Sequence, residues 1–494
     1  MDKLDALFVR APRQYTDGLT GVIFPYEALY PTILSYNNFH ARFLNPEIVE
    51  RRFRQKLYPS KSFYVYHKRL LREFLRNENH PRWRFLSFYI KKLDPDIVFI
   101  THLMPSDFSV TLKTAEIIKK VNPNIFVVSL HNSKQEAEIY IKNSKFIDFC
   151  VFGEPEYTLL EVMNYFKKGK LAKDIKKIKG VVFKMGKRIR STGNSRVETN
   201  LDNLPIPNRD LVIKKEWYPP SAFGLVEISR GCLYSCNFCE EKPPLRMRSV
   251  ESVIREVMSI MKKYKTREFV FMCTSLLHNL AWMKKFCSLI RKKKLKLVWN
   301  GYANINQVNE RIIRVMKSCG LFAVGIGIES GSVNILEKLG KKKNMEVLRD
   351  CKDAVRRARI LKENGILWGA GIIFGVLGET LRDVAEDIKI VRLLKPDLFK
   401  FQFLVPKLQT VWYRKLYENS KISIDNFHTG HLFFIRKNKE LYLRLWRKME
   451  KLSTISEKNF LLKKFLNPRI LLLKLVEYFY FSKSFIFTSS NLKV

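Results

Sequence analysis

"GLVEISRGCLYSCNFCEE", residues 224–241, sets a strand-like run directly against three cysteines, at 232, 236 and 239. The stretch "GLVEISRGC" (224–232) reads as a strand emptying into a loop. A closed zinc site takes four protein ligands, commonly as two paired units. No second pair accompanies this one, because the other five cysteines, at 150, 273, 287, 319 and 351, are scattered singly. Three thiolates can instead hold three irons of a 4Fe-4S cluster and leave the fourth open. An open iron is what a catalyst needs and what a purely electron-carrying cluster avoids.

Working outward, the same rhythm recurs downstream. "EFVFMCT" (268–274), "LKLVWNGYA" (295–303), "FAVGIGIES" (322–330), "ILWGAGIIFG" (366–375) and "LFKFQFLVP" (398–406) are further candidate strands. Helical stretches separate most of them, among them "SVESVIREVMSIMKKY" (249–264) with Ser249 as its N-cap. Six strands in βα alternation predict a partial (β/α)6 TIM-type barrel over 223–426, open on one side.

Upstream, residues 1–200 also alternate. "ALFVRAP" (6–12), "DIVFIT" (96–101), "NIFVVSL" (124–130) and "FIDFCVFG" (146–153) are strands, with helices at 109–121 and 155–169. An α/β, doubly wound, Rossmann-like domain is expected. An insert, 40–92, lies between its first two candidate strands and interleaves Arg51, Arg72, Arg82 and Arg84 with Phe63, Phe74, Trp83 and Phe88. That mixture suits phosphate contacts with stacking, or a lipid interface, or a helical cap with its own small core. "GVVFKMGKRIRS" (180–191) reads as a hairpin, and 201–222, with "LDNLPIPNRDL", as a linker. The tail, 427–494, is a basic and apolar helical extension in which "LLKKFLNPRILLLKLVEYFYF" (461–481) fits an interfacial helix.

Composition bounds the partners. Hydrophobic content of 46% and aromatic content of 13% exclude a disordered chain. A formal charge of +43 implies an anionic partner, unless it reflects a Lys-rich proteome. The chain opens without a secretory signal, so a reducing cytosol is expected, with peripheral membrane contact through the basic segments. No apolar run reaches the length of a membrane-spanning helix.

The spacing C-x-x-x-C-x-aromatic-C, with Phe238 as the aromatic, resembles the signature of radical S-adenosylmethionine (radical SAM) enzymes. The resemblance implies that Cys232, Cys236 and Cys239 ligate a 4Fe-4S cluster whose open iron is chelated by S-adenosylmethionine. Reductive cleavage then releases a 5′-deoxyadenosyl radical, with a protein of the ferredoxin or flavodoxin kind as electron donor. "CGLFAVGIGIESGSVNILEKLGKK" (319–342) resembles the downstream block of that family and makes Glu329 and Ser330 expected cofactor contacts. An N-cap made by Ser330 or Ser332 is the competing reading. "IIFGVLGET" (372–380) resembles a third block and adds Gly375, although the usual proline is Leu377 here. Cys273 and His278 stand where many relatives carry acids, and they read as a core thiol and a surface histidine. Asn304 stands where relatives often carry an arginine.

"GEPEYT" (153–158) and "NLPIPNRDL" (203–211) resemble the cobalamin-binding domain that precedes the barrel in one large radical SAM subfamily. Cobalamin is therefore expected, although Leu130-His131-Asn132 replaces the usual glycine pair and no D-x-H-x-x-G motif supplies a cobalt ligand. The resemblance implies methylation, cyclisation or rearrangement of an unactivated carbon, in a small-molecule, lipid or isoprenoid substrate. An RNA-modifying methylthiotransferase would need three more cluster cysteines near the N-terminus, where only Cys150 lies upstream of the loop. A non-enzymatic nucleic-acid binder with a structural metal is the reading from a different class; nucleic acid is not the expected partner.

Overall fold

The apolar runs fold as buried parallel strands. "ALFVR" and "IVFIT" carry no exposed residue, as strands covered on both faces require. The computed structural model describes residues 5–12, 24–51, 71–101, 108–376, 378–404, 410–412, 456, 459–460 and 462–463. Two compact units emerge: Met1–Thr199 with Asn203–Tyr218, and Asn200–Asp202 with Pro219–Val494.

In the first unit the strands are β1 (Ala6–Arg10), β2 (Ala41–Leu44), β3 (Ile97–Thr101), β4 (Phe126–His131), β5 (Phe149–Phe152), β6 (Val181–Met185) and β7 (Arg188–Ser191). Their order is β2-β1-β3-β4-β5-β6-β7. The first five are parallel, and β6 and β7 form the expected antiparallel hairpin at the edge. This is a doubly wound sheet whose strand order reverses between β1 and β3, the place where such sheets take ligands. The longer helices of the unit are α1 (Leu29–Tyr36), α2 (Pro81–Leu93), α3 (Phe108–Val121), α4 (Lys134–Asn143) and α5 (Glu156–Lys167).

Two expectations are corrected here. Residues 40–92 are not wholly an insert, because Ala41–Leu44 pairs with β1 as an edge strand. Of the aromatics described there, Phe88 is exposed while Phe74, Trp83 and Tyr89 are buried, and the Trp83 indole N–H donates to the Phe74 carbonyl at 3.0 Å. The helical-cap reading therefore holds for them, while Phe63 lies outside the described residues. The stretch 201–222 is not a free linker either. Val212 and Ile213 are buried, and the Ile213 N–H donates to the Phe43 carbonyl at 2.8 Å, so 203–218 extends the first unit. Apolar side chains flanked by prolines found a groove to fill.

In the second unit β8 (Leu225–Glu227), β11 (Glu268–Met272), β12 (Val298–Ala303), β13 (Leu321–Glu329), β14 (Leu367–Phe374) and β15 (Leu398–Phe403) form one parallel sheet in that order. A short ribbon, β9 (Ser229–Arg230) with β10 (Arg246–Met247), stands beside it. The crossovers carry α6 (Val250–Tyr264), α7 (Leu280–Lys292), α8 (Glu310–Ser318), α9 (Val333–Leu339), α10 (Lys342–Arg349), α11 (Cys351–Glu363) and α12 (Leu381–Leu394). Ser249 caps α6 as predicted, accepting the Ser252 N–H at 3.1 Å. Trp299, Trp368, Phe269 and Phe271 fill the interior. All six predicted barrel strands are present, and the segment 461–481 lies almost wholly outside the described residues. Among the described residues no helix is long and apolar enough to cross a membrane.

At the strand-order reversal of the first unit, Arg10 and Glu27 form a buried ion pair, with Nη2 and Oε2 2.5 Å apart. Glu27→Ala should lower stability by about 3–5 kcal/mol in urea unfolding, because it strands a buried cation. The double replacement Arg10→Met with Glu27→Leu should recover most of that loss.

Candidate functional site

The cysteine loop is an irregular excursion between β9 and β10, so its shape is imposed from outside. At its entry Gly231 has φ +77°, and a Cβ there would stand 2.2 Å from the Pro244 carbonyl oxygen. Only glycine meets both conditions. The Gly231 N–H donates to Glu241 at 3.2 Å, and its carbonyl accepts the Thr274 hydroxyl at 2.9 Å. Further along, Asn237 donates its backbone N–H to the Leu339 carbonyl at 2.9 Å and its amide to the Lys338 carbonyl at 3.0 Å. These bonds tie the loop to the end of α9. The Lys242 ammonium donates to the Cys236 carbonyl. Phe238, expected at the cofactor, packs on the apolar cluster of Ile335, Leu339, Ile373, Val376, Leu404 and Trp412 and anchors the loop.

Cys232, Cys236 and Cys239 are free thiols. Burial pushes the Cys236 thiol up, while the nearby Lys341 ammonium works the other way. Cys239, Glu329 and Cys232 reinforce the rise, which places all three sulfurs in one electrostatic neighbourhood. Among the described residues no three His, Cys, Asp or Glu side chains converge as a single metal ion would need. A cluster takes each thiolate on a different iron, so three free thiols in one loop suit its donor set.

Facing the loop, β13 ends in Glu329, a non-glycine residue at φ +69°. Such backbone costs of order 1–3 kcal/mol and gathers at functional sites. Its carboxylate lies 3.1 Å from the Lys341 ammonium, and both side chains are largely buried. A Cβ at Gly327 would stand 2.2 Å from that carboxylate, so glycine is what lets it fold back. Burial opposes the charge on Lys341, but Glu329, Cys236 and Cys239 outweigh it and raise its pKa. Lys341 went unread in the sequence, although "GKK" offered the signal.

Ser330 is corrected. Its hydroxyl is fully buried and donates to Asp387 at 2.6 Å, so it braces the loop where a cofactor contact was expected. Ser332 is the N-cap of α9. Burial pushes the Asp387 carboxyl up to about 8, against the Ser330 and Gly331 hydrogen bonds that favour its charge. Gly375 lies after β14 and donates its N–H to Glu379 at 2.9 Å; Leu377 lies outside the described residues. Asn304 accepts from Lys341 at 3.5 Å, which puts it beside the ion pair.

His278 is also corrected, for it is half-buried and held by neighbours where a surface histidine was expected. Its Nε2 lies 3.6 Å from the Cys232 sulfur and 3.1 Å from the Thr274 hydroxyl. Its ring lies against Tyr234, with centroids 5.5 Å apart. Burial lowers its pKa. Cys273 is half-buried where a core thiol was expected, and burial pushes it up to about 12.

A family model for the radical SAM superfamily matches residues 226–391. An uncharacterized methyltransferase of Pyrococcus horikoshii is 31% identical over 323 residues, 64% of this chain and 68% of that protein. The anaerobic magnesium-protoporphyrin IX monomethyl ester cyclase of Rubrivivax gelatinosus is 24% identical over 328 residues, 64% of this chain and 58% of the cyclase. Among solved structures, the radical S-adenosylmethionine methyltransferase TsrM from Kitasatospora setae, with cobalamin and a 4Fe-4S cluster bound, aligns with a TM-score of 0.59 at 17% identity. That alignment covers 82% of this chain and 72% of TsrM, and it shows a shared fold.

Gly231→Ala should leave the chain folded by circular dichroism yet reduce iron incorporation several-fold, because the loop entry must shift away from Pro244. The Asp387 carboxyl should leave a signature in stability against pH. Folded protein holds its proton up to about pH 8, whereas the unfolded chain loses it near the ordinary aspartate value of 3.8. Stability therefore falls as pH rises across that window, by up to about 1.4 kcal/mol per pH unit. Denaturation of Asp387→Asn should lack that component.

Proposed function

We propose a function on one premise: the chain belongs to the radical SAM superfamily. The observation that carries the proposal is the loop of three free thiols beside the buried Glu329–Lys341 pair, at the carboxyl ends of the barrel strands. Barrel chemistry is built at that end. Cys232, Cys236 and Cys239 would hold the 4Fe-4S cluster, and S-adenosylmethionine is the second cofactor. The cluster, when bound, supplies the electron that breaks a carbon–sulfur bond of the sulfonium. Glu329 and Lys341 present a carboxylate and an ammonium side by side, which complement the two charged ends of an amino acid. Asn304 adds an amide at the same place. Phe238 and its apolar cluster keep water from one side of the thiols.

The reaction we favour is methyl transfer to an unactivated carbon, with a ferredoxin- or flavodoxin-like donor as partner. The methyltransferase relative and the likeness to TsrM support it, while the cyclase relative supports ring formation as the second reading. Cobalamin is proposed for the first unit, whose sheet topology, with its reversal between β1 and β3, suits a nucleotide-like cofactor. His131 is buried against Tyr140, with ring centroids 4.3 Å apart, so it is not presented as a cobalt ligand. A bound corrin would supply the methyl carrier. The finer proposal, a lipid or isoprenoid substrate met at an anionic membrane surface, rests on the charge of +43 and on the 461–481 sequence.

Anaerobic reconstitution with iron, sulfide and hydroxocobalamin tests these readings together. We expect about four irons and four sulfides per chain with stoichiometric corrin, and 5′-deoxyadenosine after reduction. Cys236→Ala should abolish that product, and persistence of the product would refute the ligand set. Methyl transfer from S-adenosylmethionine leaves S-adenosylhomocysteine and ring formation does not, so that product separates the two reactions. Sedimentation with phosphatidylglycerol vesicles checks the membrane proposal, which fails if the protein stays in the supernatant at low salt.

A further inference from the structure

The imidazole of His278 sits at the end of a hydrogen-bond chain whose direction can be read from its fixed members. The Ser275 hydroxyl donates to the Gln307 carbonyl oxygen at 2.5 Å, and the Asn304 amide donates to that same oxygen at 3.4 Å. The Asn304 amide fixes which end of Gln307 is oxygen, because the Asn304 oxygen already accepts from the Lys341 ammonium at 3.5 Å, and the Ser275 hydroxyl turns to suit. Its nitrogen then faces the Leu277 carbonyl and His278 Nδ1, each at 3.4 Å. A nitrogen that accepts from Gln307 carries no hydrogen of its own, so in the neutral ring the hydrogen sits on Nε2. There it faces the Cys232 sulfur at 3.6 Å and the Thr274 oxygen at 3.1 Å. The Thr274 hydroxyl hydrogen is already committed to the Gly231 carbonyl at 2.9 Å, so Thr274 is a second acceptor and the single Nε2–H is shared between its oxygen and the Cys232 sulfur. The Tyr234 N–H approaches the same sulfur at 3.4 Å.

We propose that His278 is a redox-tuning residue: its Nε2–H donates to the Cys232 thiolate and raises the reduction potential of the cluster that thiolate ligates. Gln307 is the positioning residue that holds the ring in the donating tautomer. The physical basis is charge. A reduced cluster carries one more negative charge than an oxidised one, spread partly onto its sulfurs. An N–H aimed at a ligating sulfur therefore stabilises the reduced form more, and such bonds are among the levers that set cluster potentials. This inference rests on the cluster reading above, and its test separates the failure of one from the failure of the other.

The experiment is a mediated redox titration, followed by electron paramagnetic resonance, of the anaerobically reconstituted full chain. His278→Phe keeps an aromatic ring beside Tyr234 and removes the donor. At a fixed potential its ratio of reduced to oxidised cluster should fall about tenfold, a shift of about 59 mV for one electron. Gln307→Met should shift it in the same direction by less, and His278→Gln, which returns an N–H, should recover part of the loss. Nitrogen-15 spectra of the apo protein should show the Nε2–H tautomer. Full iron and sulfide content with an unchanged potential in His278→Phe would overturn the inference and leave the cluster reading standing. Loss of iron from both His278→Phe and His278→Gln, to the same extent, would make His278 a ligand and also overturn it. Absence of inorganic sulfide from the wild-type chain would overturn the cluster reading itself.

Discussion

The cysteine loop has no regular secondary structure to hold it, and that constraint governs the rest of the site. Between Gly231 and Glu241 the backbone makes one short-range bond of its own, from the Cys239 N–H to the Cys236 carbonyl. Glu241 and Lys242 close the loop on itself at Gly231, Cys232 and Cys236, and outside it Thr274 holds Gly231, Leu339 and Lys338 hold Asn237, and an apolar cluster lies under Phe238. A segment held this way is only as well placed as the strands that carry its anchors. Thiols that must meet separate irons need that rigidity, because each sulfur must arrive without a further cost in loop ordering.

Beneath the opposite side of the site lies a layer of carboxyl groups held by hydroxyls and backbone donors. Asp387 takes the Ser330 hydroxyl and the Gly331 N–H, while Asp383 takes the Ser332 hydroxyl and closes a capping box with Thr380. The turn after Glu329 is therefore tied to α12 through two serines. This bracing opposes the strain stored at Glu329 and keeps its carboxylate on Lys341. Charges in such a layer are expensive to bury, and Asp387 lightens the load by keeping its proton near neutrality.

Much of this was legible before any coordinates. Uninterrupted apolar runs such as "IVFIT" are unmistakable as buried strands, and the three-thiol spacing marks its loop without help. β2 escaped because "ARFL" is short and exposes its arginine, as an edge strand does. Ser330 was misplaced because a serine after a strand looks the same whether it faces ligand or core. The contact of His278 with Cys232 spans 46 positions and could not be seen locally. It exists because β11 lies parallel to β8, with Met272 level with Glu227, so that both loops leave the sheet side by side.

By itself the sequence determined the alternation of strands and helices, the location of the thiol loop and the glycine that opens it. Those are local properties, set by periodicity and by backbone freedom. Which side chains gather around the thiols was decided only by the tertiary structure. Lys341, His278 and Gln307 reach them through strand register and helix packing, and no residue carries that information alone.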